Sequence, residues 1–475
     1  MSETSASRDQ QRGSDGQLAQ TAPDQRDLPA LAAQAVWGGA PGSPAAAAQP
    51  PSVRRNPYVV GGWVRGANFY GRTKLIGEIL DDYDRTIWLG GNRRIGKTST
   101  LRRLEELGND AGRVAFYIDL QGAADTATLT EYFLEEDNEE RLARLGLTSA
   151  GLQGKAPHEV MRRLDRRGRE RNLKVLLLLD EAEALIEIAT AEGDQILKDL
   201  QREMQRSDAL RVVLSATRRL MVLDVICRSW NTSKFLDGVT PSYLGALTPD
   251  ETLTLIRQSQ APSAQLIEDG VARAIAAASN GHPFLTQWLC DRLWSEQGLR
   301  APTPEDLLLD NDADLVTRMF QEDYNYLAAS ERSILKALAA VDALDAAGLV
   351  ELIGKSVKTE QIGSLMSPLA QLCFVRRTDA GYVIGNELLR NWFRYCSIDE
   401  PAPAVSDDIA MDWADEKVQE IDNLIETHER RLRVREDQQA QLGITTPPEI
   451  VTEIEDIKKQ IADLQRQRAQ VRASR

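Results

Sequence analysis

The sequence predicts the α/β class: a parallel sheet with helices on both faces, followed by helical segments. Three observations carry this. Four short apolar runs at 85–90, 113–120, 175–180 and 211–215 are separated by helical periods; near-continuous runs of that length suit strands buried on both faces. A glycine-rich loop follows the first run and opens a helix. After about residue 245 the strand pattern stops and helical periodicity takes over.

In chain order, residues 1–56 are rich in Ser, Gln, Asp, Ala, Gly and Pro and read as a disordered N-terminal tail that cannot build a core; a short docking motif at 28–37 is the functional alternative. Residues 57–240 carry the four strands. Residues 241–325 read as a helical lid whose first helix starts at Thr248-Pro249-Asp250-Glu251, with carboxylates in its first turn. Residues 326–398 end in strand, Asp-Ala-Gly turn and strand at 373–384, the outline of a winged helix-turn-helix. In residues 399–475, Ile450, Ile454, Ile457, Ile461 and Leu464 form a heptad seam, and Val418, Ile421, Ile425, His428 and Leu432 repeat it. Gly443 to Pro448 is the turn of an antiparallel helical hairpin, in which His428 is a packed interface residue.

Composition narrows the function. The 475 residues carry 57 Lys plus Arg against 72 Asp plus Glu, a net charge of −15. That balance argues against a nucleic-acid partner, which needs clustered positive charge. Aromatics at 5% argue against base-stacking platforms. Four dispersed cysteines and three dispersed histidines argue against a structural zinc site or a disulfide framework. No secretory leader and no apolar run near 18 residues are visible, so a cytoplasmic protein with no membrane partner is expected.

The chemistry concentrates at three places. Gly91-Asn-Arg-Arg94-Ile-Gly96-Lys97-Thr98-Ser99 has the pattern of a phosphate-cradling loop between a strand and a helix. Its glycines let backbone amides turn inward around a β-phosphate, Lys97 supplies a mobile cation, and Thr98 suits Mg²⁺. This makes the sheet a P-loop sheet and ATP with Mg²⁺ the expected cofactors. Asp180 and Glu181 end the third apolar run, 83 residues after Lys97. Asp180 is the candidate Mg²⁺ residue, through water, and Glu181 the candidate catalytic residue that polarises the attacking water. Glu183 reads as a solvated helix residue. Thr217 and Arg218, after the fourth run, are candidate γ-phosphate sensors, a surface basic turn being the alternative. Asp180-Glu-Ala-Glu183 with Ser215-Ala-Thr217 also resembles superfamily 2 helicase motifs. A helicase needs a second α/β core, and the downstream chain reads as helical.

At these residues the sequence resembles the STAND-type signal-transduction ATPases, relatives of AAA+, over about residues 56–398. The resemblance implies that Tyr70-Gly71-Arg72 lies by the adenine. It also implies that the Gly281-His282-Pro283 element of the lid approaches the nucleotide. Residues 326–398 hold no histidine to touch an ADP β-phosphate, Ala216 stands for the usual sensor-segment glycine, and no repeat array follows. The C-terminal hairpin resembles effector-associated adaptors of bacterial conflict and signalling proteins, which recruit partners by like-with-like pairing.

The expectation is a slow ATPase switch, cycling between ATP and ADP. It couples nucleotide state to homo-oligomerisation or to an effector or adaptor protein recruited through 399–475. Two alternatives stay open. One is an origin-recognition-like DNA-binding ATPase using the winged helix, although 359–372 contains no Lys or Arg and only Lys355, Lys358, Arg376 and Arg377 flank it. The other is a scaffold that binds nucleotide without turning it over.

Overall fold

The computed structural model describes residues 56–81, 86–227, 234–258, 266–309, 315–353 and 359–399, with scattered positions between 425 and 465. Of the expected tail (1–56) all but Asn56, the turn at 443–448, and Val418, Ile421, His428, Ile450 and Leu464 of the seam lie outside the described residues, as do Lys355 and Lys358.

Helix α1 (Thr73–Asp81) precedes strand β1 (Thr86–Gly90), and α2 (Lys97–Asp110) leads to β2 (Val114–Asp119). Then come α3 (Thr126–Phe133), α4 (Glu139–Arg144), α5 (Ser149–Leu152), α6 (Pro157–Arg171) and β3 (Val175–Asp180). Helices α7 (Ala184–Glu192) and α8 (Gln195–Arg206) precede β4 (Leu210–Ala216), and α9 (Val222–Ile226) precedes β5 (Val239–Tyr243). The sheet order is β2-β3-β4-β1-β5, with every pairing parallel.

Side-chain alternation explains why both faces are covered. Trp88, Phe116, Leu177 and Leu214 point into one core with α3, α6, α7 and α8. Ile87, Leu89, Leu176, Leu178 and Val213 point into the opposite core with α1 and α2. A period-2 strand apolar at every position must be covered twice. Four strands match the apolar runs; β5 is additional. Its sequence Val-Thr-Pro-Ser-Tyr is half buried and polar, and Pro241 is tolerated because β5 is an edge strand pairing only with β1.

Beyond β5 lie α10 (Pro249–Ile256), α11 (Asp269–Ser279) and α12 (Pro283–Leu293). A small hairpin, β6 (Trp294–Ser295) and β7 (Gly298–Leu299), interrupts the expected all-helical stretch before α13 (Leu315–Asn325). Helices α14 (Ala329–Ala340), α15 (Ala346–Ile353) and α16 (Thr359–Gln371) lead into an antiparallel hairpin, β8 (Val375–Thr378) and β9 (Gly381–Ile384), and then α17 (Glu387–Tyr395). Helices α15 and α17 add to the expected elements. Leu344 bridges to Tyr382, giving the hairpin a third extended neighbour. Residues from α10 to α17 share one continuous apolar core. Trp392 of α17 is fully buried against Phe320 and Tyr324 of α13, so α13 packs with the C-terminal helices.

Further on, Ile425, Leu432, Ile457 and Ile461 make a small cluster, and Lys458 pairs with Glu436 at 2.8 Å. No helix among the described residues is long and apolar enough to cross a membrane.

Candidate functional site

Parallel pairing brings the carboxyl ends of β1, β3 and β4 to one edge: Gly90 faces Ala216, and Leu179 faces Leu214. The turns that follow these strands surround a cleft of about 640 Å³. In open parallel sheets ligands bind at this edge.

The loop after β1 keeps its glycines for steric reasons. A Cβ on Gly91 would lie 2.8 Å from Ile95 Cγ2, and Gly96 has φ +101°. No side chain caps α2, so its first amides face the cleft unpaired by a cap. Lys97 is buried and folds back, its Nζ donating to the carbonyls of Gly91 and Asn92 at 3.1 Å each. Arg94 has φ +58° and stacks its guanidinium 4.8 Å from the Phe284 ring of α12. Ser99 Oγ accepts from the amide of Val64, holding residues 61–64 along the cleft.

Asp180 is 1% exposed and held by three donors: Ser215 Oγ donates to Oδ1 at 2.7 Å, Tyr117 to Oδ2 at 3.0 Å, and the Glu181 amide to Oδ1 at 3.1 Å. Burial first, then the Asp180 charge, pushes the Tyr117 hydroxyl up, which keeps it a donor. Glu181 sits at φ +49° and lines the cleft. Burial, then the charge of Glu183, raises its carboxyl above the ordinary range, and Lys97 opposes this.

Of the residues singled out from sequence, Arg94, Gly96, Lys97, Thr98, Ser99, Glu181, Thr217, Tyr70, Arg72 and Pro283 line the cleft. Gly91, Gly71, Asp180, Arg218 and His282 do not, and each has a reason. Gly91 packs against Ile95 and Leu244, and Gly71 against Glu251 and Leu247. Asp180 lies behind Glu181, held by its three donors. The Arg218 guanidinium donates to both oxygens of Glu331 on α14, at 2.9 and 2.7 Å. The His282 Nδ1 accepts from the Leu285 amide as the N-cap of α12. Burial, then the Arg72 charge, drives the imidazole down to about 3, so it stays neutral. Tyr70 packs with Leu247 and Leu255, and Arg72 spends its guanidinium on the carbonyls of Gly245, Ala246 and Ile95.

Four residues escaped the sequence reading. Glu183 is buried, not solvated, and accepts from the amide and hydroxyl of Thr217. On α13, Asp323 accepts from the Arg93 amide at 3.2 Å and Glu322 pairs with the Arg93 guanidinium at 3.0 Å. Glu331 is the fourth. The Asn92 side chain also donates from Nδ2 to the Leu372 carbonyl at 2.8 Å. Spacing Asp180-x-x-Glu183 past a strand end was a usable signal; the three carboxylates of α13 and α14 join the site only through tertiary packing.

The oxygen donors that line the cleft are hard ones, the Thr98 hydroxyl and the Glu181 carboxylate, with the Asp180 carboxylate behind them. Among the described residues no three His, Cys, Asp or Glu gather into a metal cage. That set fits Mg²⁺ held by few protein groups together with phosphate oxygens.

The family model of an AAA domain matches residues 80–221. A Walker-type ATPase of Pyrococcus abyssi is similar over 71% of this chain and 99% of its own, at 14% identity and TM-score 0.50. The ORC2 protein of Aeropyrum pernix, in complexes with ADPNP and ADP, covers 71% and 96% at 15% identity and TM-score 0.35. The ORC1 protein of the same organism, in complex with DNA, covers 68% and 92% at 14% identity and TM-score 0.33. Among curated proteins none matches this sequence. The fold is that of the P-loop ATPases, and the part that resembles an AAA domain is residues 80–221.

Proposed function

We propose that this chain is an ATP-hydrolysing switch of the STAND type, whose helical lid (241–325) and winged helix (326–398) read the state of the phosphate loop. One observation carries the reading: the turns that would meet the phosphates are tied directly to downstream helices. Arg93 is held by Asp323 and Glu322, Asn92 by Leu372, and Arg218 by Glu331.

In this reading the α2 amides and Lys97 bind the phosphates, Lys97 exchanging the Gly91 and Asn92 carbonyls for them. Tyr70 and Leu255 flank the base, and Pro283 closes the lid side. The Thr98 hydroxyl, with Asp180 through water, holds Mg²⁺, which when bound neutralises phosphate charge. Glu181 takes the proton of the attacking water. A γ-phosphate moves the equilibrium only by contacts made in one conformation. The ties to α13, α14 and the end of α16 are the contacts that differ. Through 399–475 the state passes to an effector, an adaptor or further copies of the chain, in a cytoplasmic setting.

Phosphate release and nucleotide affinity test this. Lys97→Ala is expected to weaken ATP binding at least about 10-fold. Glu181→Gln is expected to bind ATP while losing turnover about 100-fold. Unchanged binding and turnover in Lys97→Ala would overturn the reading. Light scattering of the protein with ATP and with ADP tests the oligomer; one mass in both removes that part.

A second reading has one observation behind it: Arg376 and Arg377 of β8 are exposed on the hairpin. Such a pair suits phosphate contacts of a DNA duplex. A salt-dependent gel shift lost in the Arg376→Ala, Arg377→Ala double variant supports it; no shift at micromolar protein excludes it.

A further inference from the structure

Beyond the strand ends, the segment 180–183 is laced to the segment 215–217. Ser215 donates to Asp180, the Ala182 amide donates to the Ser215 carbonyl at 2.9 Å, and both the amide and the hydroxyl of Thr217 donate to Glu183. All the bonds to Glu183 fall on one oxygen, Oε1. The other, Oε2, is buried and has no hydrogen-bond partner among the described residues. Leaving an oxygen of a buried carboxylate unpaired is costly. A glutamine would accept both Thr217 bonds through its own Oε1 with no charge to desolvate, while its Nε2 would take the place of the unpartnered oxygen. Hydrogen bonding alone therefore does not select an acid at this position.

Two neighbours of Glu183 face the cleft. Thr217, which it holds, is part of the wall, and Glu181, two residues earlier, projects from the same turn. The charge of Glu183 is felt at Glu181.

We propose that Glu183 is a positioning residue for water attack: Oε1 pins Thr217 to the cleft wall, and its buried carboxylate, two residues along the same turn, sets how Glu181 is presented to the water. This rests on the hydrolytic reading above. In this arrangement Glu183 acts through Thr217 and Glu181.

Glu183→Gln separates the two roles, because it keeps the Thr217 bonds and removes the charge. The expected result is a thermal midpoint equal to or above that of the unsubstituted protein, ATP affinity within about twofold, and kcat lowered about 10-fold or more. Glu183→Ala, which loses the bonds as well, is expected to lower both kcat and the midpoint. Glu183→Gln turning over at the full rate while Glu181→Gln is inactive overturns this proposal alone. Full turnover in Glu181→Gln, or no turnover in the unsubstituted protein, overturns the hydrolytic reading and this proposal with it.

Discussion

The Asp323 carboxylate, on a helix 230 residues downstream, accepts the backbone hydrogen bond of Arg93 in the phosphate loop. Burial raises this carboxyl to about 7 from 3.8, against the pull of the Arg93 amide and of Lys97 and Arg93, with Glu322 adding repulsion. The folded protein thus holds the Asp323 proton more tightly than the unfolded chain does. This group's contribution to stability is greatest below about pH 4, declines as pH rises to about 7, and is level above. Asp323→Asn is expected to flatten that part of the pH dependence. Melting curves from pH 4 to 8 check it, and parallel profiles for the two proteins would contradict the assignment.

Arg218 and Glu331 join the turn after β4 to the start of α14, with side chains 25% and 5% exposed. Glu331 also accepts from the Ala328 amide, a role glutamine preserves. Urea unfolding of Arg218→Gln, Glu331→Gln and the double variant is expected to show losses of about 1–3 kcal/mol for each single change, with marked non-additivity. Strictly additive losses would mean the pair does not couple the two segments.

Gly281 has φ +71°, and a Cβ there would sit 2.4 Å from the Leu247 carbonyl oxygen. The same glycine accepts the Leu247 amide at 2.8 Å, fixing the turn ahead of Pro283. Gly281→Ala is expected to cost about 2–3 kcal/mol and to weaken nucleotide binding together with stability. A melting temperature unchanged by the substitution would be the opposing result.

Trp63 lies at the cleft, 44% exposed, with the guanidiniums of Arg65 and Arg102 at 5.6 and 5.3 Å from its ring. ATP binding is expected to alter its emission, and Trp63→Phe to abolish the change while calorimetric affinity stays within about threefold. An equal fluorescence response in both proteins would place the reporter elsewhere.

The sheet and the phosphate loop were legible because apolar runs and paired glycines impose local requirements. Strand β5 was not, since its five residues take their conformation from pairing with β1 rather than from apolar alternation. The contacts of Arg218 with Glu331 and of His282 with the first turn of α12 carry no local mark either, since guanidinium and imidazole satisfy buried carboxylates and helix ends as readily as ligands. Glu183 was passed over because it stands at the first turn of a helix, where carboxylates are usually solvated. Asp323 and Glu331 carry no local mark, and only the folding of α13 and α14 over the loop brings them to it.

All five strands run the same way, so their opposite ends form a second rim remote from every residue discussed so far. There the connections Ala111–Arg113, Asn172–Lys174 and Ser207–Ala209 enter β2, β3 and β4, and Ala111, Gly112, Asn172, Lys174 and Asp208 are open to solvent. Six residues of β3 separate that rim from Asp180 by about 20 Å. Dyes, tags or tethers attached at Asn172 would therefore report on, or immobilise, a working molecule without intruding on its chemistry.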